Sequence, residues 1–110
     1  MKQIKDLLKQ KYELRIEATK ENIYAVNDTV ICLVVAPHSG TNNRWMVRFS
    51  TVAAFDRWAN SCAIEEFFDT KETVIQYLME KQIDIYKQLL IYLSLEYDEF
   101  CTYCNEEDRT

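Results

Sequence analysis

The chain has 110 residues, of which 48% are apolar and 28% charged, and a formal net charge of −5. These values are those of a single globular domain. Its one glycine cannot supply the several that a P-loop or a dinucleotide-binding loop needs, so those nucleotide-binding classes are excluded. Residues 61–110 hold twelve acidic and four basic residues, a charge of −8, which argues against nucleic acid as a direct ligand because phosphates would be repelled.

The N-terminal third of the chain predicts one helix followed by two strands. Ile4, Leu7 and Leu8 recur at helical spacing among lysines, which predicts a short amphipathic helix. Residues 12–19 alternate strictly between apolar and polar side chains, which predicts a strand with one wet face. Residues 23–26 predict a second strand, and the pair at 27–28 a tight turn after it.

Two further strands complete the predicted sheet. Residues 29–36 are β-branched and apolar throughout, which predicts a central strand covered on both faces. Residues 37–43 form a loop, and residues 44–50 alternate again with Trp45, Val47 and Phe49 facing inward. Because the connections are short, we predict a four-stranded antiparallel meander, and the fold class is α+β with helices packed on one face of the sheet.

Helices are predicted for the rest of the chain. Ser50 and Thr51 can cap a helix over about 52–60. The run 69–72 resembles a capping box with Asp69 as the cap residue. It would open a long C-terminal segment that forms either one helix of about 30 residues or two helices breaking near 82–84. We expect a single domain over residues 1–104 and a short, acidic, frayed tail at 105–110.

The predicted C-terminal helical segment carries more apolar surface than an ordinary amphipathic helix. One seam consists of Ile75, Leu78, Ile85, Leu89, Tyr92 or Leu93, and Phe100. A second set widens this seam beyond the usual 100° and consists of Val74, Tyr86, Leu90, Ile91, Leu95 and Tyr97. The extra surface is predicted to be buried either by the protein's own sheet and first helix or by a second copy, in a homodimer.

One cysteine pair has the spacing of a metal site. Cys101 and Cys104 would share a helix face, and with His38 and Cys62 they could supply four zinc ligands. A strong zinc signature has two close pairs and this chain has one, so a small structural zinc domain is the alternative interpretation. Cys32 lies in an apolar strand and is predicted to be a core thiol.

The sequence offers no convincing catalytic group, and we expect neither an enzyme nor a cofactor. His38 is the one histidine, and it lies in a predicted loop without a catalytic serine motif around it. The many carboxylates have the spacing of solvated helix faces rather than of a converging acid–base pair.

Protein binding is the function that the sequence favours. Tyrosine is common at interfaces, and the C-terminal segment is rich in it and in acid. The predicted partner-binding residues are Tyr92, Glu96, Tyr97, Asp98, Glu99 and Tyr103. They suit a basic protein surface, and carboxylates along a helix could also imitate the charge of a nucleic acid.

In size, acidity and Lys-, Ile-, Tyr- and Asn-rich usage, the chain resembles small accessory proteins of phages and mobile elements. Anti-CRISPR and other anti-defence proteins, which block a host effector by binding it, are among these. The resemblance is one of overall style rather than of particular residues. It implies a small acidic inhibitor or adaptor.

The expected location is the cytoplasm. The first residues lack the apolar stretch of a signal peptide, and the most apolar run, residues 89–95, is too short to span a bilayer. No membrane partner is therefore expected.

Overall fold

A computed structural model describes residues 2–18, 22–37, 44–52 and 63–93. The fold is α+β, as predicted. A helix at the N-terminus precedes the sheet, and two helices follow it. The elements are α1 (Lys2–Gln10), β1 (Arg15–Ala18), β2 (Asn22–Val26), β3 (Val30–Val35), β4 (Trp45–Thr51), β5 (Ile64–Phe68), α2 (Lys71–Glu80) and α3 (residues 82–93, as far as it is described).

The sheet is an antiparallel meander in the order β1-β2-β3-β4-β5. The prediction of four strands was one too few, because β5 pairs with β4 from Phe49↔Ile64 to Trp45↔Phe68. The sequence of β5 lacks the pattern that predicts a strand. Each face of this edge strand carries both a carboxylate and an aromatic side chain, so neither face has the apolar alternation of a half-buried strand.

One face of the sheet forms the core. The register aligns Ile23, Val34 and Val47 across three strands, and aligns Ala25, Cys32 and Phe49 one step further along. All six side chains are fully buried. α1, α2 and α3 supply the other half of this core, with Ile4, Leu8, Val74, Leu78, Ile85 and Leu89.

The opposite face of the central strands is also partly covered. Ile31 and Met46 are nearly inaccessible there, and Leu33 and Val35 are half-buried. The predicted burial of the β3 strand on both sides is therefore confirmed at Ile31 and is partial at Leu33 and Val35. Met46 lies on the face of β4 that was predicted to be exposed to solvent, but it is buried.

The chain turns sharply between α1 and β1. Tyr12 and Leu14 are buried and Glu13 is exposed, as the alternation predicts, but strand pairing begins only at Arg15. Glu13 has a φ of 56°, in the left-handed region that favours glycine. The amide of Leu14 also donates to the carbonyl of Leu8 at 2.9 Å, so this stretch closes the helix before it becomes a strand.

The predicted turn at 27–28 is confirmed, and a side chain organises it. Oδ1 of Asn27 accepts hydrogen bonds from the amides of Thr29 (2.8 Å) and Val30 (2.7 Å). This Asx-type arrangement supplies acceptors for the amides of the turn. It sets the register in which Val26 faces Ile31.

The predicted cap at Asp69 was wrong by one residue. The cap of α2 is Thr70, whose hydroxyl accepts from the amide of Thr73 at 3.2 Å, whereas Asp69 pairs with Arg44. Val52 is helical, as the second predicted helix requires, and Thr51 before it ends β4 opposite Val30 of β3. Residues 53–60 of the helix predicted to follow it lie outside the described residues.

The C-terminal segment is interrupted within its described part. α2 ends at Glu80, its C-cap residue Lys81 has a φ of −104° and a ψ of 15° that are not helical, and α3 begins at residue 82. The break is just before the predicted position at 82–84, so the two-helix alternative is the one found. None of the helices in the described ranges is both long and apolar enough to cross a bilayer.

Candidate functional site

The junction between α2 and α3 is held by the end of α1. The Tyr12 hydroxyl donates to the carbonyl of Leu78 at 2.6 Å, and Nζ of Lys11 donates to the carbonyl of Met79 at 2.6 Å. In return, Nε2 of Gln82 donates to the carbonyl of Lys11 at 2.7 Å. Carbonyls in the last turn of a helix lack helical partners, so these contacts satisfy the end of α2 and fix the direction in which α3 leaves it.

Tyr12 is the buried centre of this junction. Its ring lies 5.6 Å from the ring of Phe49 in the sheet and 5.7 Å from that of Tyr86 in α3, between centroids. Burial raises the pKa of Tyr12 well above its ordinary value of 10.0, so the hydroxyl remains a hydrogen-bond donor into the alkaline range. Sheet, α1 and both C-terminal helices thus meet at one side chain.

The side of α3 that does not face the core is apolar and exposed. Ile83 is 70% exposed, Leu90 64%, Ile91 56% and Tyr86 36%, whereas Ile85 and Leu89 are 2% exposed. Ile83, Tyr86 and Leu90 have the i, i+3, i+7 spacing of one helix stripe, and Ile91 widens it. We refer to these four residues as the exposed helix face.

The exposed helix face bears on the predicted cover of the surplus apolar surface. Tyr86, Leu90 and Ile91 belong to the surplus apolar set, for which the protein's own fold or a second copy was the predicted cover, and the described fold leaves all three accessible. Val74, from the same set, is fully buried. Ile83 was missed because it lies at the predicted helix break, although its spacing to Leu90 is the signal that could have identified it. The described fold therefore covers only one of the two apolar stripes of α3.

A second feature lies beside the edge of the sheet. An open cleft of about 520 Å³ separates β5 from the C-terminal helices. On the sheet side it is lined by Ala63, Ile64, Glu65, Glu66 and Phe68. On the helix side it is lined by Tyr77, Lys81, Asp84, Ile85 and Gln88. We refer to it as the edge cleft.

The lining of the edge cleft combines an aromatic pair with acidic side chains. The rings of Phe68 and Tyr77 are 5.0 Å apart between centroids. The carboxylate of Glu65 is paired with Arg48 of the neighbouring strand. The carboxylates of Glu66 and Asp84 make no ion pair or hydrogen bond within the described ranges. Burial, followed by the negative charge of Glu66, raises the pKa of Tyr77 to about 12, and Asp84 adds to it. With Lys81 as the one base in its lining, the cleft therefore keeps a net negative charge beside an apolar surface.

One of the six partner-binding residues predicted from the sequence lies in the described part of the chain. Tyr92 is half-buried near the end of the described part of α3, beside the exposed helix face. The other five, Glu96, Tyr97, Asp98, Glu99 and Tyr103, lie outside the described residues. The partner-binding role of the segment beyond residue 93 stays a prediction.

The alternative zinc site also lies outside the described residues, at His38, Cys62, Cys101 and Cys104. Within the described ranges, no three His, Cys, Asp or Glu side chains are grouped closely enough to hold a metal ion. Cys32 is a buried free thiol, and burial strongly raises its pKa.

Comparison with known proteins finds no matching family model, no matching curated protein and no matching solved structure.

Proposed function

We propose that the protein is a non-enzymatic protein-binding module that uses the exposed helix face to dock on another protein. The observation that supports this is the exposure of Ile83, Leu90 and Ile91, each more than half accessible, on a helix whose other side is anchored in the core. Helices of this kind bind by laying an apolar stripe with i, i+3, i+7 anchors into a groove of the partner.

The anchoring of α3 favours binding for a second reason. Its direction is fixed by hydrogen bonds from Lys11 and Tyr12 to the end of α2, and by the buried side chains Ile85 and Leu89. A partner would therefore lose little free energy in ordering this helix, because its backbone is held before the encounter.

The partner that fits best has an apolar groove with a basic rim. The half of the chain that carries α3 has a charge of −8, and the whole chain has −5. Two copies brought together through this half would repel one another, whereas a basic partner would be attracted and steered toward the face. This disfavours the homodimer that the surplus apolar surface suggested. In the most specific form of the proposal, the protein is a small acidic inhibitor or adaptor that covers a functional surface of its partner.

The experiment compares the wild-type chain with an I83D/L90D variant as bait in extracts of the native host, read by quantitative mass spectrometry. Partners that depend on the face should be lost from the variant. With a purified partner, the dissociation constant should rise at least about 30-fold, which corresponds to ~2 kcal/mol and is the scale of an interface hot spot.

The matched control is Q3D/Q10D, which adds the same two charges at exposed positions of α1. It should retain all partners, and both variants should unfold at the wild-type temperature because exposed sites tolerate such changes. Light scattering distinguishes the remaining possibility. A wild-type dimer that I83D/L90D converts to a monomer would make a second copy the occupant and overturn the choice of a basic partner. Equal partner retention by both variants would overturn the whole proposal.

A further inference from the structure

The edge cleft suggests a binding mode that the exposed helix face does not use. β5 is the last strand of the sheet and has β4 on one side only. Within the described ranges, its outer edge has no hydrogen-bond partner. Such an edge presents a row of backbone donors and acceptors that can pair with another extended chain.

The cleft lies where such a chain would project its side chains. Side chains of a strand alternate between the two faces of a sheet, so every second residue of an added strand would point to the side occupied by α2 and α3. The open space of about 520 Å³ between β5 and these helices is on that side. An edge strand beside a helix, with a groove between them, is the arrangement used in β-augmentation.

The charge of the cleft indicates what the added chain carries. Its lining includes Glu65, Glu66 and Asp84 against one base, Lys81. Arg48 pairs with Glu65 at 2.5 Å, and neither Glu66 nor Asp84 makes an ion pair with a described residue, so acidic groups outnumber basic ones in the lining. The aliphatic stem of a Lys or Arg can pack on the rings of Phe68 and Tyr77 while its charged end reaches these carboxylates.

A second copy of β5 is a poor occupant. Antiparallel pairing of two such strands about their centre would place Glu66 of one copy opposite Glu66 of the other. Like charges directly opposite each other destabilise a strand pair. We propose that the edge cleft binds an extended basic segment of a partner protein, added to the sheet beside β5, with a Lys or Arg side chain directed at Glu66 and Asp84.

The probe is a displayed library of random ten-residue peptides, selected on the full-length protein. Enriched peptides should carry Lys or Arg at alternate positions, and a synthetic copy should bind at least ten-fold more weakly to E66Q/D84N. The control D28N/E72Q also removes two exposed carboxylates but lies away from the cleft, and it should bind like wild type. Methylating alternate backbone amides of the peptide should abolish binding, because those amides pair with β5.

Three outcomes would overturn the inference. One is a selection that enriches no peptide above background, and another is an enriched peptide that binds E66Q/D84N as tightly as wild type. The third is binding that tolerates methylation of every backbone amide. The I83D/L90D variant keeps this test independent of the proposed function, because it should bind the peptide normally even if it loses its protein partner.

Discussion

Removing the hydroxyl of Tyr12 should destabilise the whole domain, because this group joins elements that are far apart in sequence. The hydroxyl donates to the carbonyl of Leu78, 66 residues away, at 2.6 Å in a buried position. Y12F retains the ring and its contacts with Phe49 and Tyr86 and deletes only the donor. The carbonyl of Leu78 would then be buried with one partner fewer.

The expected cost follows from these two effects. A buried hydrogen bond contributes about 1 kcal/mol net, and an unsatisfied buried acceptor costs ~1–3 kcal/mol. We expect Y12F to lower the free energy of unfolding by ~1–2 kcal/mol. For a domain of this size the melting temperature should fall by roughly 5 °C. Urea unfolding followed by circular dichroism measures the change, and the m-value should stay constant because the folded structure is retained.

The matched control is Y86F. The Tyr86 hydroxyl is 3.4 Å from the carbonyl of Lys11 and belongs to an exposed side chain, so its removal should cost less than about 0.5 kcal/mol. A Y12F variant as stable as wild type, or no less stable than Y86F, would refute the view that this hydroxyl holds the junction of α2 and α3.

Two further predictions concern stability. Burial raises the pKa values of Cys32, Tyr12 and Tyr77 above their ordinary values of 9.0 and 10.0, so the unfolded chain releases these protons first. Stability should therefore be complete below about pH 9 and fall as the pH rises further, by up to ~1.4 kcal/mol per pH unit for each group. A urea midpoint unchanged between pH 8 and pH 11 would contradict this. F49A should cost ~3–5 kcal/mol because Phe49 is fully buried, whereas F67A, at an exposed position, should cost less than about 1 kcal/mol by thermal unfolding.

The periodicity of the sequence was sufficient to predict the class of the fold. The alternation over residues 12–17 and 44–50 identified which side chains face the core, and Asn27 marked the turn that sets a strand register. These patterns are local, and burial of one face follows from them wherever the sheet is completed. β5 was missed because its apolar and acidic side chains are mixed on both faces. Its place depends on pairing with β4, including the contact of Glu65 with Arg48.

The candidate surfaces depended on tertiary structure. The sequence showed that the C-terminal segment has more apolar positions than one stripe needs, but not which of them the fold would cover. That choice is made by the break at Lys81 and by the contacts that Lys11 and Tyr12 make with α2, more than 60 residues away. These contacts turn Ile85 toward the core and Ile83 toward solvent, because rotation about a helix axis is decided by what packs against it and not by its own sequence.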